Sequence, residues 1–394
     1  MATKAYKYII VGGGMTADAA VYGIRSRDKA GTIAVLSTEN HPPYDRPPLS
    51  KKLWTGKPVE SIWRKTEQAG ADVLLDTRAM SGEPAAKTIT DNRGTIYSYE
   101  KLLLATGGVP RRLPFADDGV IYFRTLDDYQ RLRALADRNA EFIVIGGGFI
   151  GSEIAAALAI SGCKVVMAVP GSGIGERIYP PKLSEFLNDY FRGKGVTVLT
   201  GEKVVAIHRK AGRFTVSTAS GKAVSADAVV AGIGIELEVG LAKSMGLSVD
   251  NGIVVDDELR AAPPDIFAAG DVANFYSSPL GVRRRVEHED NANTMGTVAG
   301  RNMAGGAEKY DHLPYFYSDL FDLGYEAVGE FGIGMEIVED WQEPFHKGVI
   351  YYLRSGRVRG VLLWNTWDQV DAARRLISAT DTFSAAALAG RIHD

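Results

Sequence analysis

The chain has 394 residues, of which 45% are apolar and 24% charged, and it carries a formal net charge of −3. That length accommodates two or three domains with cores of their own, and the composition excludes a disordered or fibrous chain. The near-balanced charge excludes a global footprint for nucleic acid or an anionic membrane.

The chain opens on a strand at 7–11, expected to leave no room for a signal peptide, then the turn Gly12-Gly13-Gly14 and a helix from Thr16 to Ser26. A strand at 32–37 follows. The proline-rich stretch 41–48 cannot be regular helix and reads as a rigid loop holding Tyr44 and Arg46. Another strand, 95–104, ends at Ala105-Thr106-Gly107-Gly108, and 109–114 reads as a linker. A second unit runs from about Val120 to Gly246. It starts with a helix (126–138), a strand (142–145), the turn Gly146-Gly147-Gly148, a helix (150–161) and a strand (164–169). Short strands are expected at 196–199, 204–208, 214–218 and 228–232. The first unit then resumes, with strand and turn at 265–271 and a helix at 287–304. The tail, 310–394, changes character: 348–353 and 358–364 flank Ser355-Gly356 as an antiparallel hairpin, followed by a helix at 367–378. The most apolar window, 142–162, contains Glu153 and is explained as strand, turn and helix, so no membrane span is expected. The only cysteine, Cys163, rules out an intramolecular disulfide and fits a reducing cytoplasm.

The two glycine turns carry most of the functional signal. Gly12, Gly14 and Ala17 occupy the G-x-G-x-x-[G/A] positions in the first, and Gly146, Gly148 and Gly151 in the second. Such a turn lets a pyrophosphate approach the backbone at a helix N-terminus, whose free N–H groups and dipole favour an anion. Two such turns, each between a strand and a helix, imply two bound dinucleotides, a flavin and a nicotinamide one. An acid at the end of the second strand of each fold binds the adenosine ribose. Glu39 stands there in the first fold. In the second, the strand ends Val169-Pro170-Gly171-Ser172 and offers no acid. Ser172 and Arg177 could then bind a 2′-phosphate, or Arg177 is a solvated surface charge, so NADH and NADPH both stay open.

With both turns, Ala105-Thr106-Gly107 and Ala269-Gly270-Asp271 in order, the chain resembles the two-dinucleotide-binding-domain flavoproteins of the glutathione reductase type along nearly its whole length. Pro43–Lys51 is similar to the signature of oxygenase-coupled ferredoxin reductases and apoptosis-inducing-factor-like proteins. Tyr315–Asp319, Gly324–Gly329 and Leu363-Trp364-Asn365 are similar to the latter branch, and Pro314–Ser318 also resembles plant monodehydroascorbate reductases. The resemblance implies an α/β fold: two Rossmann-like FAD- and NAD(P)-binding domains plus a C-terminal α+β domain. The expected bounds are 1–114 and 247–304 for FAD, 115–246 for NAD(P)H and 305–394 for the last.

The resemblance also implies roles. Gly12, Gly14 and Ala17 would take FAD, with Arg46, Ala105, Thr106, Gly107 and Gly270 as further ligands and Asp271 on the ribityl chain. Gly146, Gly148, Gly151 and Gly234 would take NADH or NADPH. Glu287 and His288 open a helix expected to face the flavin pyrimidine ring, His288 positioning rather than transferring protons. Trp364 is expected to shield the isoalloxazine, with a core indole as its plain alternative. Lys51 is expected near flavin N5, paired with Glu153; the plain alternative is an exposed Glu153 favoured by the helix dipole.

The redox cysteines of disulfide reductases are missing, and Cys163 reads as core packing. The expected activity is therefore an FAD-dependent NAD(P)H oxidoreductase passing electrons to a small ferredoxin-like electron-transfer protein. Alternatives are a small-molecule acceptor, such as a quinone or ascorbate radical, and a redox-sensing flavoprotein with slow turnover. A homodimer stays open. Arg283-Arg284-Arg285 reads as a solvated loop or as a dock for an acidic redox protein.

Overall fold

Apolar runs buried on both faces make parallel strands, and that is how the chain begins. In the computed structural model, which describes residues 3–116, 119–332 and 334–392, the run Tyr8–Val11 is the buried end of the strand Thr3–Val11. It lies between Ile33–Leu36 and Ile96–Leu104, parallel to both, and the parallel set continues to Ala71–Leu74 on one side and Ile266–Ala268 on the other. Ala79–Glu83, Thr88–Asp91 and Arg260–Ala261 join antiparallel, making eight strands.

Two helices, Met15–Arg27 and Glu289–Met303, pack against each other through small residues. A Cβ on Gly300 would stand 2.1 Å from the Ala20 carbonyl oxygen, and one on Gly296 2.4 Å from that of Thr16. These elements belong to a unit made of the chain up to Arg46, Val59–Val109 and Glu236–Tyr315.

The other unit comprises Pro47–Pro58, Pro110–Ile235 and the chain from Phe316 onward. Its parallel sheet runs Val196–Leu199, Val165–Ala168, Phe142–Ile145, Ala228–Ala231, Ile121–Tyr122. The helices Leu126–Ala136 and Phe149–Ile160 both contact the 3₁₀ turn Pro47–Ser50. A three-stranded antiparallel sheet, Val204–Lys210, Arg213–Thr218 and Ala223–Ala226, packs over Val229 and Ile143. The tail hairpin, Lys347–Arg354 with Arg357–Trp364, is the centre of a larger five-stranded sheet. Its other strands are Tyr315–Leu320, Leu323–Gly329 and Glu336–Glu343, and the helix Val370–Ser378 packs on it.

The helix Pro181–Gly193, not assigned from sequence, buries Leu183, Leu187 and Phe191 one turn apart. Among the described residues no helix is long and apolar enough to cross a membrane.

The glycine contact between the first pair of helices is testable. Gly300→Ala should destabilise the protein by about 1–3 kcal/mol, because the methyl meets backbone that cannot move aside. Gly193→Ala, where a Cβ meets nothing within 4 Å, should be neutral or stabilising. Urea unfolding of both variants checks this; a neutral Gly300→Ala would show that the helices do not hold that spacing.

Candidate functional site

Both glycine turns have the shape an anion cradle requires. Gly12 has φ +119°, and a Cβ there would lie 2.1 Å from the Ala105 carbonyl oxygen. Gly14, the N-cap of the helix Met15–Arg27, is different: a Cβ meets nothing within 4 Å, and no side chain caps the helix. The second turn repeats this. Gly146 has φ +109° and a Cβ position 2.4 Å from the Gly232 carbonyl oxygen, while Gly148 is open and leaves the helix Phe149–Ile160 uncapped. At the third position Gly151 admits no side chain, since a Cβ would lie 2.1 Å from the Gly146 carbonyl oxygen, whereas Ala17 fits fully buried in the first copy. Each helix start thus has backbone N–H groups without a side-chain cap, and among the described residues nothing lies within 4 Å of a Cβ on the capping glycine. The residues fit a dinucleotide pyrophosphate at both places.

In the first unit the structure brings Glu39, Tyr44 and Arg46 together. The Tyr44 hydroxyl donates to Glu39 Oε2 at 2.6 Å, Arg46 pairs with Glu39 Oε1, and the guanidinium lies 5.1 Å from the Tyr44 ring centre. Ala105 continues the ladder by donating to the Val11 carbonyl, Thr106 donates its hydroxyl to the Glu238 carbonyl at 2.6 Å, and Gly107 has φ +61°.

Gly270, with φ +77°, opens a 3₁₀ turn containing Asp271, and a Cβ there would collide with Thr16 Oγ1 at 2.3 Å. This sets Asp271 beside the first turn of the helix Met15–Arg27. Arg285 donates to the Asp271 carbonyl at 3.1 Å and pairs with Glu287 at 2.5 Å, and Arg283 donates to the Val255 and Asn274 carbonyls. Two of the three consecutive arginines therefore hold their own unit together. His288 is the N-cap of the helix Glu289–Met303 and half-buried; desolvation pushes its imidazole down to about 4, so it is neutral at physiological pH.

In the second unit the central feature is a buried ion pair. Lys51 Nζ pairs with Glu153 Oε1; the lysine side chain is 8% exposed and the glutamate 3%. Glu153 also accepts from the Ser50 hydroxyl and the Ser318 hydroxyl, each at 2.6 Å. The exposed, dipole-favoured alternative for Glu153 is thereby excluded. Lys51 lies 5.2 Å from the Tyr317 ring centre, and next to Ser318 burial pushes the Asp319 carboxyl upward. Ser50 and Ser318 were absent from the expected site. Ser318 stood in a motif, but nothing in its sequence context aimed it at Glu153.

The remaining second-unit expectations meet the structure unevenly. Trp364 is corrected: it is 0% exposed, stacked on Tyr325 at 5.6 Å with its indole N–H donating to the Phe345 carbonyl, so it offers no face to a bound ring. Gly234 has φ +92° beside Arg111, whose N–H donates to its carbonyl at 2.9 Å. Arg177 is exposed. Ser172 donates through both its N–H (2.6 Å) and its hydroxyl (3.0 Å) to Glu176 Oε2. The expectation of no carboxylate at Gly171 is therefore corrected as well: Glu176, five residues on, folds back and fills the space. Cys163 is buried and free, its thiol 3.8 Å from the Ala136 carbonyl and its pKa raised by desolvation.

The buried pair predicts a coupled stability effect. Lys51→Met or Glu153→Gln should each cost about 3–5 kcal/mol, because each strands a charge or its donors inside the protein. The double variant should cost much less than the sum. Chemical unfolding of the three variants decides; strictly additive costs would show that the two side chains do not act as a pair.

The profile of the pyridine nucleotide-disulphide oxidoreductase family matches residues 6–296, and that of the apoptosis-inducing factor C-terminal region matches 333–379. The chain is 35% identical to apoptosis-inducing factor 1 of Dictyostelium discoideum, over 94% of this chain and 78% of that protein. It is 34% identical to the ferredoxin–NAD(+) reductase component of the anthranilate 1,2-dioxygenase system of Burkholderia cepacia, over 94% of each. A crystal structure of the ferredoxin reductase for the CYP199A2 system of Rhodopseudomonas palustris superposes with a TM-score of 0.89, at 27% identity over 96% of both chains. Two open pyrophosphate cradles on one polypeptide and these likenesses lead to one conclusion: the chain belongs to the pyridine nucleotide-disulphide oxidoreductase family and is an FAD-dependent NAD(P)H oxidoreductase.

Proposed function

We propose that the first glycine turn holds FAD, the second holds NAD(P)H, and the external electron acceptor is a small iron–sulfur protein. Bound flavin supplies the hydride-accepting and electron-donating chemistry. The chain's own residues do the rest. Gly14 and Gly148 leave the helix N-termini clear for the two pyrophosphates. Arg46, fixed by Glu39 and Tyr44, and Asp271, carried on the Gly270 turn, are the further FAD ligands in this reading. In the second unit Lys51 is a fixed, buried cation that Glu153 positions with help from Ser50 and Ser318, and in this reading the pair is catalytic. His288 stays neutral and acts through its place at a helix start rather than by proton transfer.

The observation that carries the acceptor is the missing thiol. The only cysteine is Cys163, packed in the second unit, so no cysteine accompanies the first glycine turn. No thiol relay can be built, which removes disulfide substrates and favours an acceptor that takes electrons directly. The ferredoxin reductases among the similar proteins support a protein acceptor of that kind. A reducing compartment such as the cytoplasm suits the free buried thiol.

Steady-state kinetics against a ferredoxin, a quinone and the monodehydroascorbate radical tests this. The ferredoxin should give a kcat/KM at least about tenfold above the others, equivalent to 1.4 kcal/mol of transition-state preference. Cys163→Ser should leave that activity nearly unchanged. A faster reaction with the radical or quinone, or loss of activity in a folded, FAD-loaded Cys163→Ser protein, would overturn the reading.

A further inference from the structure

In a strand–glycine turn–helix fold, the carboxylate at the end of the second strand takes the adenosine ribose hydroxyls. A fixed negative charge there also repels a 2′-phosphate. In the second unit that strand is Val165–Ala168, and the position just past it is Gly171, which has no side chain. Its space is nevertheless occupied. A Cβ on Gly171 would lie 1.7 Å from Oε1 and 2.0 Å from Oε2 of Glu176.

The loop is built to hold that carboxylate. Ser172 binds Oε2 with its N–H at 2.6 Å and its hydroxyl at 3.0 Å, and Oε1 takes no protein donor among the described residues. The Asn188 side chain accepts from the Ile174 N–H at 3.0 Å and donates to the Ser172 carbonyl at 3.1 Å, clamping the loop from the helix Pro181–Gly193. Gly175, at φ +68°, donates its N–H to the Gly147 carbonyl at 2.8 Å, which ties the loop to the glycine turn itself.

From this arrangement we infer that Glu176 is the specificity-determining residue of the nicotinamide site: it accepts the adenosine ribose hydroxyls through Oε1 and makes the chain selective for NADH. Two effects act against NADPH. A 2′-phosphate would face a fixed carboxylate, and the Ser172 donors that it would need are already engaged by that carboxylate. The inference rests on the proposed placement of NAD(P)H at the second glycine turn.

Titration calorimetry of the FAD-loaded protein with ADP-ribose and with 2′-phospho-ADP-ribose measures the selectivity without turnover. The wild type should bind ADP-ribose about 100-fold more tightly, the order expected when like charges are brought together. Glu176→Gln should shrink the ratio to within about fivefold, since the charge is gone while the shape is kept. Gly171→Glu combined with Glu176→Gly, which moves the acid to the strand end, should restore it. An undiminished ratio in Glu176→Gln would overturn the inference while leaving the nucleotide placement intact. Failure of wild-type protein to bind either probe would overturn the placement and the inference with it.

Discussion

A helix N-terminus can receive a ligand anion only if the protein declines to satisfy it. Helix starts normally draw on a serine, threonine or acidic cap, as Thr125 does through its capping box with Asp128 at the helix Leu126–Ala136. The helices after the two glycine turns have none, and a Cβ on Gly14 or Gly148 would meet no described atom within 4 Å. That forgone capping would cost of order 1 kcal/mol per helix in the free protein. Much of the surrounding architecture keeps these two turns tight. Backbone carbonyls of Ala105 and Gly232 press on Gly12 and Gly146, and the parallel strands fix where those carbonyls stand.

Charge is treated the same way in the second unit. Burying Lys51 and Glu153 is costly, and the protein offsets it with two serine hydroxyls and the mutual attraction of the pair. Ser50 and Lys51 come from the proline-rich segment, Glu153 from the helix after the second glycine turn, and Ser318 from the C-terminal sheet. Three distant stretches of chain converge on one carboxylate. The lone cysteine, Cys163, is buried and free and is not part of this cluster.

How much was legible from sequence follows the range of the interactions. The glycine turns, most of the parallel strands and the tail hairpin are local patterns, and they stand where the residues put them to within a few positions; the short parallel strands Ala71–Leu74 and Ile121–Tyr122 were not assigned. The helix Pro181–Gly193 has an apolar stripe at Leu183, Leu187 and Phe191, but the Pro180-Pro181 pair reads as a breaker when it is in fact a helix start. Trp364 failed because its motif says nothing about Tyr325 or Phe345, which enclose it. Glu176 was not singled out because its carboxylate reaches the space at Gly171 from five residues away, through a loop held by Asn188 and Gly147. Contacts of that kind leave no periodicity to read.

The central claim is that two separate turns hold two different dinucleotides. Gly14→Leu and Gly148→Leu test it directly, because a side chain at either position meets no protein atom near its Cβ and should be tolerated by the fold. The measurement is the stoichiometry of FAD and of NADH-derived nucleotide bound per chain. The wild type should bind one of each; Gly14→Leu should lose FAD, and Gly148→Leu should keep its FAD and lose the nicotinamide nucleotide. Retention of both ligands by either folded variant, or loss of FAD from the Gly148 variant alone, would contradict the account.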